Sequence, residues 1–178
     1  MNAAQLGFED LLASASQANA RRRFERETGH LPGTEEALPF YRGLIDRHHA
    51  AMLCANAPEA MRIRDEAHAL ALRLSGADPA ILEGAGAPGR ALERLSAAAE
   101  GSVPLWGQTG VFCVTACDMR VRVAMEGMFG IGMSAMHWPG FSAHAVDRSR
   151  PFLSETGYRS FLGIHAEIVP GLTPTCSP

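Results

Sequence analysis

Lysine is missing from the 178-residue sequence; all 16 basic residues are arginine. A lysine Schiff base and a P-loop lysine are therefore excluded. Cysteine is sparse: Cys54, Cys113, Cys117 and Cys176 form no Cys-x-x-Cys pair. No stretch approaches the ~18 consecutive apolar residues of a membrane helix. Glu9 and Asp10 interrupt Leu6 to Leu12, which argues against a signal or transit peptide. These absences lead us to expect a soluble protein of a reducing cytoplasm. A net charge of −3 and a pI near 6.1 disfavour a general nucleic-acid binder. With 47% hydrophobic residues the chain is not disordered, and at this length it can bury roughly 70% of its unfolded surface without disulfides or metals.

The first 76 residues read as helical. Ala3 to Glu27 makes a weakly amphipathic helix, and its run Arg21-Arg22-Arg23-Phe24-Glu25-Arg26-Glu27 reads as a solvated face, the four arginines being balanced over the whole segment by Glu9, Asp10, Glu25 and Glu27. Gly29, Pro32 and Gly33 break the chain. Thr34-Glu35-Glu36 offers a cap and two carboxylates to the next helix, which should start within a few residues of Pro39. Phe40, Leu44, His48 and Met52 form its stripe. Pro58 opens a further helix with Met61, Ala67, Leu70, Ala71 and Leu74 on the apolar side, and Gly76 stops it. The short link between the two helices predicts an antiparallel hairpin.

Residues 77–102 read as a connector. Gly84 and Gly86 follow no strand and lack the dinucleotide spacing, so they are not a phosphate loop. Residues 103–178 turn β-rich. Val111 to Ala116 is a strand, Asp118-Met119 a tight turn, and the return alternates Val121, Val123 and Met125 against Arg120, Arg122, Ala124 and Glu126 on a wet face. A third strand is expected around Ile131, Met133 and Ala135, and a turn at Trp138-Pro139-Gly140-Phe141. A packed loop should follow, with a short helix at Tyr158 to Leu162 and a strand at Ile164 to Val169. The fold class is α+β: a single domain of N-terminal helices, including the hairpin, packed on a C-terminal antiparallel sheet.

Three groups could carry chemistry. His48, His49 and His68 lie on the hairpin with Asp46, Glu66 and Cys54 near them, but no ligand pair repeats on both helices, so they read as core or surface histidines. Cys113 and Cys117 are roughly 13 Å apart in a flat strand, too far for one ion, and read as small buried hydrophobes. The densest segment is His137 to Arg159. There Trp138, Phe141, Arg148, Arg150, Tyr158 and Arg159 have the residue types of a binding surface, and arginines can grip phosphate or carboxylate bidentately. His144 with Asp147 or Glu155 could form an acid–base pair. Ser142 and Ser154 lie in no nucleophile elbow.

The blocks Met128-Phe129-Gly130-Ile131-Gly132, Trp138-Pro139-Gly140-Phe141-Ser142-Ala143-His144 and Arg150-Pro151-Phe152-Leu153-Ser154-Glu155-Thr156-Gly157-Tyr158-Arg159-Ser160-Phe161-Leu162-Gly163 resemble a family of uncharacterised proteobacterial proteins encoded on plasmids and other mobile elements. The resemblance extends over residues 40–172 and departs at Thr175-Cys176-Ser177-Pro178. It implies an accessory role for a mobile element and transfers no catalytic residue. The expected function is thus a non-enzymatic interaction module binding a partner protein or a phosphate-bearing ligand. No cofactor, metal or membrane is expected, and net charge disfavours nucleic acid. The alternative is a small hydrolase or nuclease using His144 with Asp147 and Glu155.

Overall fold

The computed structural model describes residues 3–76, 84, 86–116, 118–130, 139–147, 149, 154–161 and 168–175, with side chains from residue 9 onward. Helices fill the first part: α1 (Ala3–Thr28), α2 (Thr34–Leu53) and α3 (Ala57–Leu74). A shorter helix, α4 (Pro88–Leu95), lies within the segment expected to be a connector. Pro88 is well tolerated there because the first helical N–H has no acceptor to lose.

In α2, Gly33 rather than Thr34 is the N-cap, and no side chain caps the end. Glu35 and Glu36 still fall in the first turn, where they complement the helix dipole. Pro39 is the sixth helical residue and forfeits only the bond its nitrogen would have made to the Glu35 carbonyl. Asn56 caps α3 by accepting a hydrogen bond from the Glu59 N–H at 3.2 Å. Gly76, at φ +67°, ends that helix in the left-handed conformation that glycine adopts without a Cβ penalty. Helices α2 and α3 pack as the expected hairpin.

The strands β1 (Gly110–Ala116), β2 (Met119–Met125), β3 (Phe141–Ala145) and β4 (Tyr158–Phe161) form an antiparallel meander in the order β1-β2-β3-β4. Asp118 turns the first hairpin at φ +61°. β2 pairs next with Phe141–Ala145, a segment read as turn and loop. The expected helix at Tyr158 is instead β4, in which Tyr158, Arg159 and Ser160 pair with β3. Four residues are too few for a helix to bury a stripe, whereas a ladder satisfies each backbone group at once. The expected third strand lies outside the described residues, and so does most of the expected Ile164–Val169 strand.

One hydrophobic cluster ties the parts together. Tyr41, Leu44, Ile45 and Met52 of α2 and Ile63, Leu70 and Ala71 of α3 join Phe112 and Met125 of the sheet through Trp106, Met128 and Phe129. Each large side chain so buried contributes about 1.5–3 kcal/mol. Residues 9–23 of α1 are exposed throughout, Leu11 at 70%.

Candidate functional site

Strand pairing sorts the C-terminal residues onto two faces, because residues directly opposite share a face and neighbours along a strand do not. Facing the core are Phe112, Val123, Ala143 and Arg159 in one row and Met125, Phe141 and Phe161 in another. Facing away are Cys113, Arg122, His144 and Tyr158 in register across all four strands, with Thr115 and Arg120 beside them and Val111, Ala124, Ser142 and Ser160 on the other side. Arg120, Arg122 and Tyr158 are exposed and His144 is half-buried, its ring 4.6 Å from that of Tyr158.

The segment read as one binding surface is therefore divided. Tyr158 lies on the open face. Phe141 packs against the core and stacks on Phe161 at 4.5 Å, and the Arg159 guanidinium lies 5.2 Å from the Phe161 ring centre. Trp138, Arg148 and Arg150 lie outside the described residues. His144 touches the Tyr158 ring, and no hydrogen bond or ion pair among the described residues joins it to Asp147 or Glu155. The Asp147 carboxylate instead accepts bonds from the Ser149 N–H and hydroxyl at 2.9 and 2.7 Å. Ser154 closes the turn into β4, donating to the Tyr158 carbonyl at 2.6 Å. Cys113, expected to be a buried hydrophobe, is exposed, because its strand position pairs with Arg122 on the open face.

Arginine pairing differs between the two halves. In the helical half, Arg23, Arg47, Arg62, Arg64, Arg73 and Arg90 each form an ion pair with a carboxylate. On the sheet, Arg120, Arg122 and Arg159 form none among the described residues. Beside Arg120 is a hollow of about 200 Å³, lined also by Asp118, Met119, Ala145, Val146 and Asp147.

A second polar cluster escaped the sequence reading. Glu93 of α4 is 6% exposed, accepts from Arg90 at 2.9 Å and from the Phe129 N–H at 3.3 Å, and has its pKa raised by burial and by the nearby Glu126. Glu126, read as part of the wet face, folds back at the end of β2. Its Oε2 is buried without a partner among the described residues, in a cradle that a Cβ at Gly130 or Gly140 would fill. The buried Tyr41 hydroxyl also lacks a partner among the described residues, and its pKa is raised by burial and by Glu93. Only the position of Gly130 and Gly140 around the carboxylate reveals this, and no local spacing signals it.

The hairpin histidines serve the packing. His48, fully buried, donates from Nδ1 to the Trp106 carbonyl at 3.0 Å, while His49 Nδ1 accepts the Trp106 N–H at 3.1 Å. His68 donates to the Met128 carbonyl at 3.3 Å, and burial lowers its pKa. The Trp106 indole N–H reaches the Leu172 carbonyl at 2.8 Å. No cluster of three metal-ligating side chains occurs among the described residues, and none of their helices is long and apolar enough to cross a membrane.

What the geometry defines is an α+β protein with an open, arginine-bearing sheet face. Two Escherichia coli proteins, both called Protein KlcB, are similar to part of it. One is 50% identical over 74 residues, covering 42% of this chain and 18% of the relative; the other is 48% identical over 71 residues, covering 40% and 14%. The match thus spans less than a fifth of the length of these curated relatives. No family model matches the chain, and no solved structure shows significant similarity.

Proposed function

We infer that the chain is a non-enzymatic accessory protein of a plasmid or similar mobile element, and that it engages an anionic partner through the open face of its sheet. The partial identity with the KlcB proteins and the resemblance of the C-terminal blocks to mobile-element proteins support the accessory role. The observation that carries the binding role is the pair of exposed Arg120 and Arg122 side chains, which share one sheet face and have no acid partner among the described residues, whereas six of the arginines of the helical half are paired with carboxylates. A guanidinium left free beside an aromatic ring is suited to a carboxylate or phosphate from outside. Among the described residues His144 rests against the Tyr158 ring and no acid orients it as a general base requires.

The test is affinity capture from the native host with the unaltered protein and with the Arg120→Ala/Arg122→Ala/Tyr158→Ala variant. Loss of the captured partners from the variant, with its circular dichroism unchanged, is the expected result. Full retention of every partner would remove the reading.

A further inference from the structure

We propose that the open face of the sheet is a platform for single-stranded nucleic acid, with bases stacked on Tyr158 and His144 and phosphates held by Arg120 and Arg122. The proposal rests on the binding reading above and names its ligand.

Single-strand binding without strong sequence preference needs two things on one surface: π faces for the bases and cations that follow the backbone. Both are present in register. Arg122 of β2 stands opposite His144 of β3, which stands opposite Tyr158 of β4. At a strand spacing of about 4.8 Å, that row from cation to outer ring spans roughly 10 Å. The rings of His144 and Tyr158 are 4.6 Å apart and tilted by 47°, a small aromatic shelf with Tyr158 45% exposed. Arg120 lies two residues from Arg122 on the same strand, hence on the same face. Hydroxyl groups of Thr115, Ser142 and Ser160 fill neighbouring positions on that face and can bond bases or sugar.

Net charge does not oppose this. All three excess negative charges belong to residues 1–102, where 14 acids face 11 arginines, while residues 103–178 carry five of each. No acid stands in the Arg122–His144–Tyr158 row itself, although Asp118 and Asp147 border the hollow beside Arg120. Glu126 is folded under Gly130 and Gly140, Asp147 is turned onto Ser149, and Asp118 sits in the turn beyond the strands. A duplex hides its bases from the two rings, so they favour a single strand over double-stranded nucleic acid.

The experiment is fluorescence anisotropy with labelled 12-mer oligodeoxythymidine and oligouridine, and with a 12-base-pair duplex as competitor. The single strands are expected to bind more tightly than the duplex. Tyr158→Ala should weaken binding about tenfold, and Tyr158→Phe, which keeps the ring, should stay within about twofold. Arg122→Ala should lower the slope of log K against log salt by about 0.7. Arg62→Ala changes net charge equally but removes a side chain already paired with Glu59 and Glu66, and it should have no effect.

Absence of an anisotropy change at 100-fold excess protein, equal affinity for duplex, or equal affinity of Tyr158→Ala and Tyr158→Phe would each overturn the proposal. If the oligonucleotides fail while a captured protein still depends on Arg122, the ligand is a protein. The nucleic-acid assignment then falls and the binding reading stands. If both assays fail, both readings fall.

Discussion

A carboxylate buried beside a second carboxylate holds its proton more firmly than it would in water, and Glu93 is in that position next to Glu126. Its native pKa is raised above the ordinary 4.5, so its contribution to stability is fully present below that value and is lost as pH rises through the higher native pKa. His68 has the opposite sign. Burial lowers its native pKa below 6.5, so its contribution is fully present above 6.5 and is lost as pH falls through the lower native value. Urea midpoints measured from pH 4 to 8 should show both limbs. Glu93→Gln should flatten the decline above pH 4.5, and His68→Gln the decline below pH 6.5. The cradle around Glu126 makes a steric prediction at the same scale. Gly130→Ala should destabilise by about 1–3 kcal/mol, because its Cβ would meet the Glu126 Cβ as well as the carboxylate, whereas Gly140→Ala meets only the carboxylate end and should cost less. Little of this cluster was legible in the sequence. Strict alternation puts Glu126 on the wet side with Arg122 and Ala124, but β2 ends at Met125 and the next residue no longer obeys the pleat. His48 was only partly readable: it stands in the stripe of Phe40, Leu44 and Met52, but the sequence reads the hairpin histidines as core or surface, and the structure buries this one.

Elements differ widely in what holds them. Helices α2 and α3 bury continuous stripes, so their boundaries could be read from spacing and punctuation. Helix α1 has few contacts, and residues 9–23 are in water along every side. A helix supported mainly by its own backbone frays and opens locally at little cost. Limited trypsin digestion should therefore cut first at Arg21, Arg22 and Arg23 and spare Arg62 and Arg64 of α3; mass spectrometry of the early fragments checks this. Strands β3 and β4 were missed for a different reason. Phe141-Ser142-Ala143-His144-Ala145 is short, carries small residues and contains no β-branched side chain. Its strand character comes from the ladder with β2 and not from its own propensity. Tyr158 to Phe161 likewise becomes a strand because β3 supplies its partners.

Across the molecule, Trp106 is the joint. Its indole and backbone are bonded to His48, His49 and Leu172, and its ring lies in the cluster that includes Phe112 of the sheet and Leu70 of the hairpin. A single core of this kind unfolds as one unit. In a Trp138→Phe background, the Trp106 fluorescence transition and the far-ultraviolet circular dichroism transition should coincide in urea; separate midpoints would reveal two independently folding halves. His48→Ala should lower the unfolding free energy read from that shared transition by about 2–4 kcal/mol, since it opens a cavity and strands the Trp106 carbonyl. The α+β class and the order of its halves were legible because the hydrophobic period changes near residue 103. The joint was not, because Trp106 lies in an irregular segment whose partners are 57 and 66 residues away.

The meander leaves β1 at its rim, and Gly110-Val111-Phe112-Cys113-Val114-Thr115-Ala116 contains neither charge nor proline. Natural sheets commonly guard such a border with a lysine, a bulge or a proline. Among the described residues no strand pairs with the other side of β1, and with no lysine at that border the backbone row is ready to be extended by a neighbour's strand. Concentrated stocks should accordingly gather into larger species over time, and Thr115→Lys should slow that growth in light scattering while leaving the melting temperature in place.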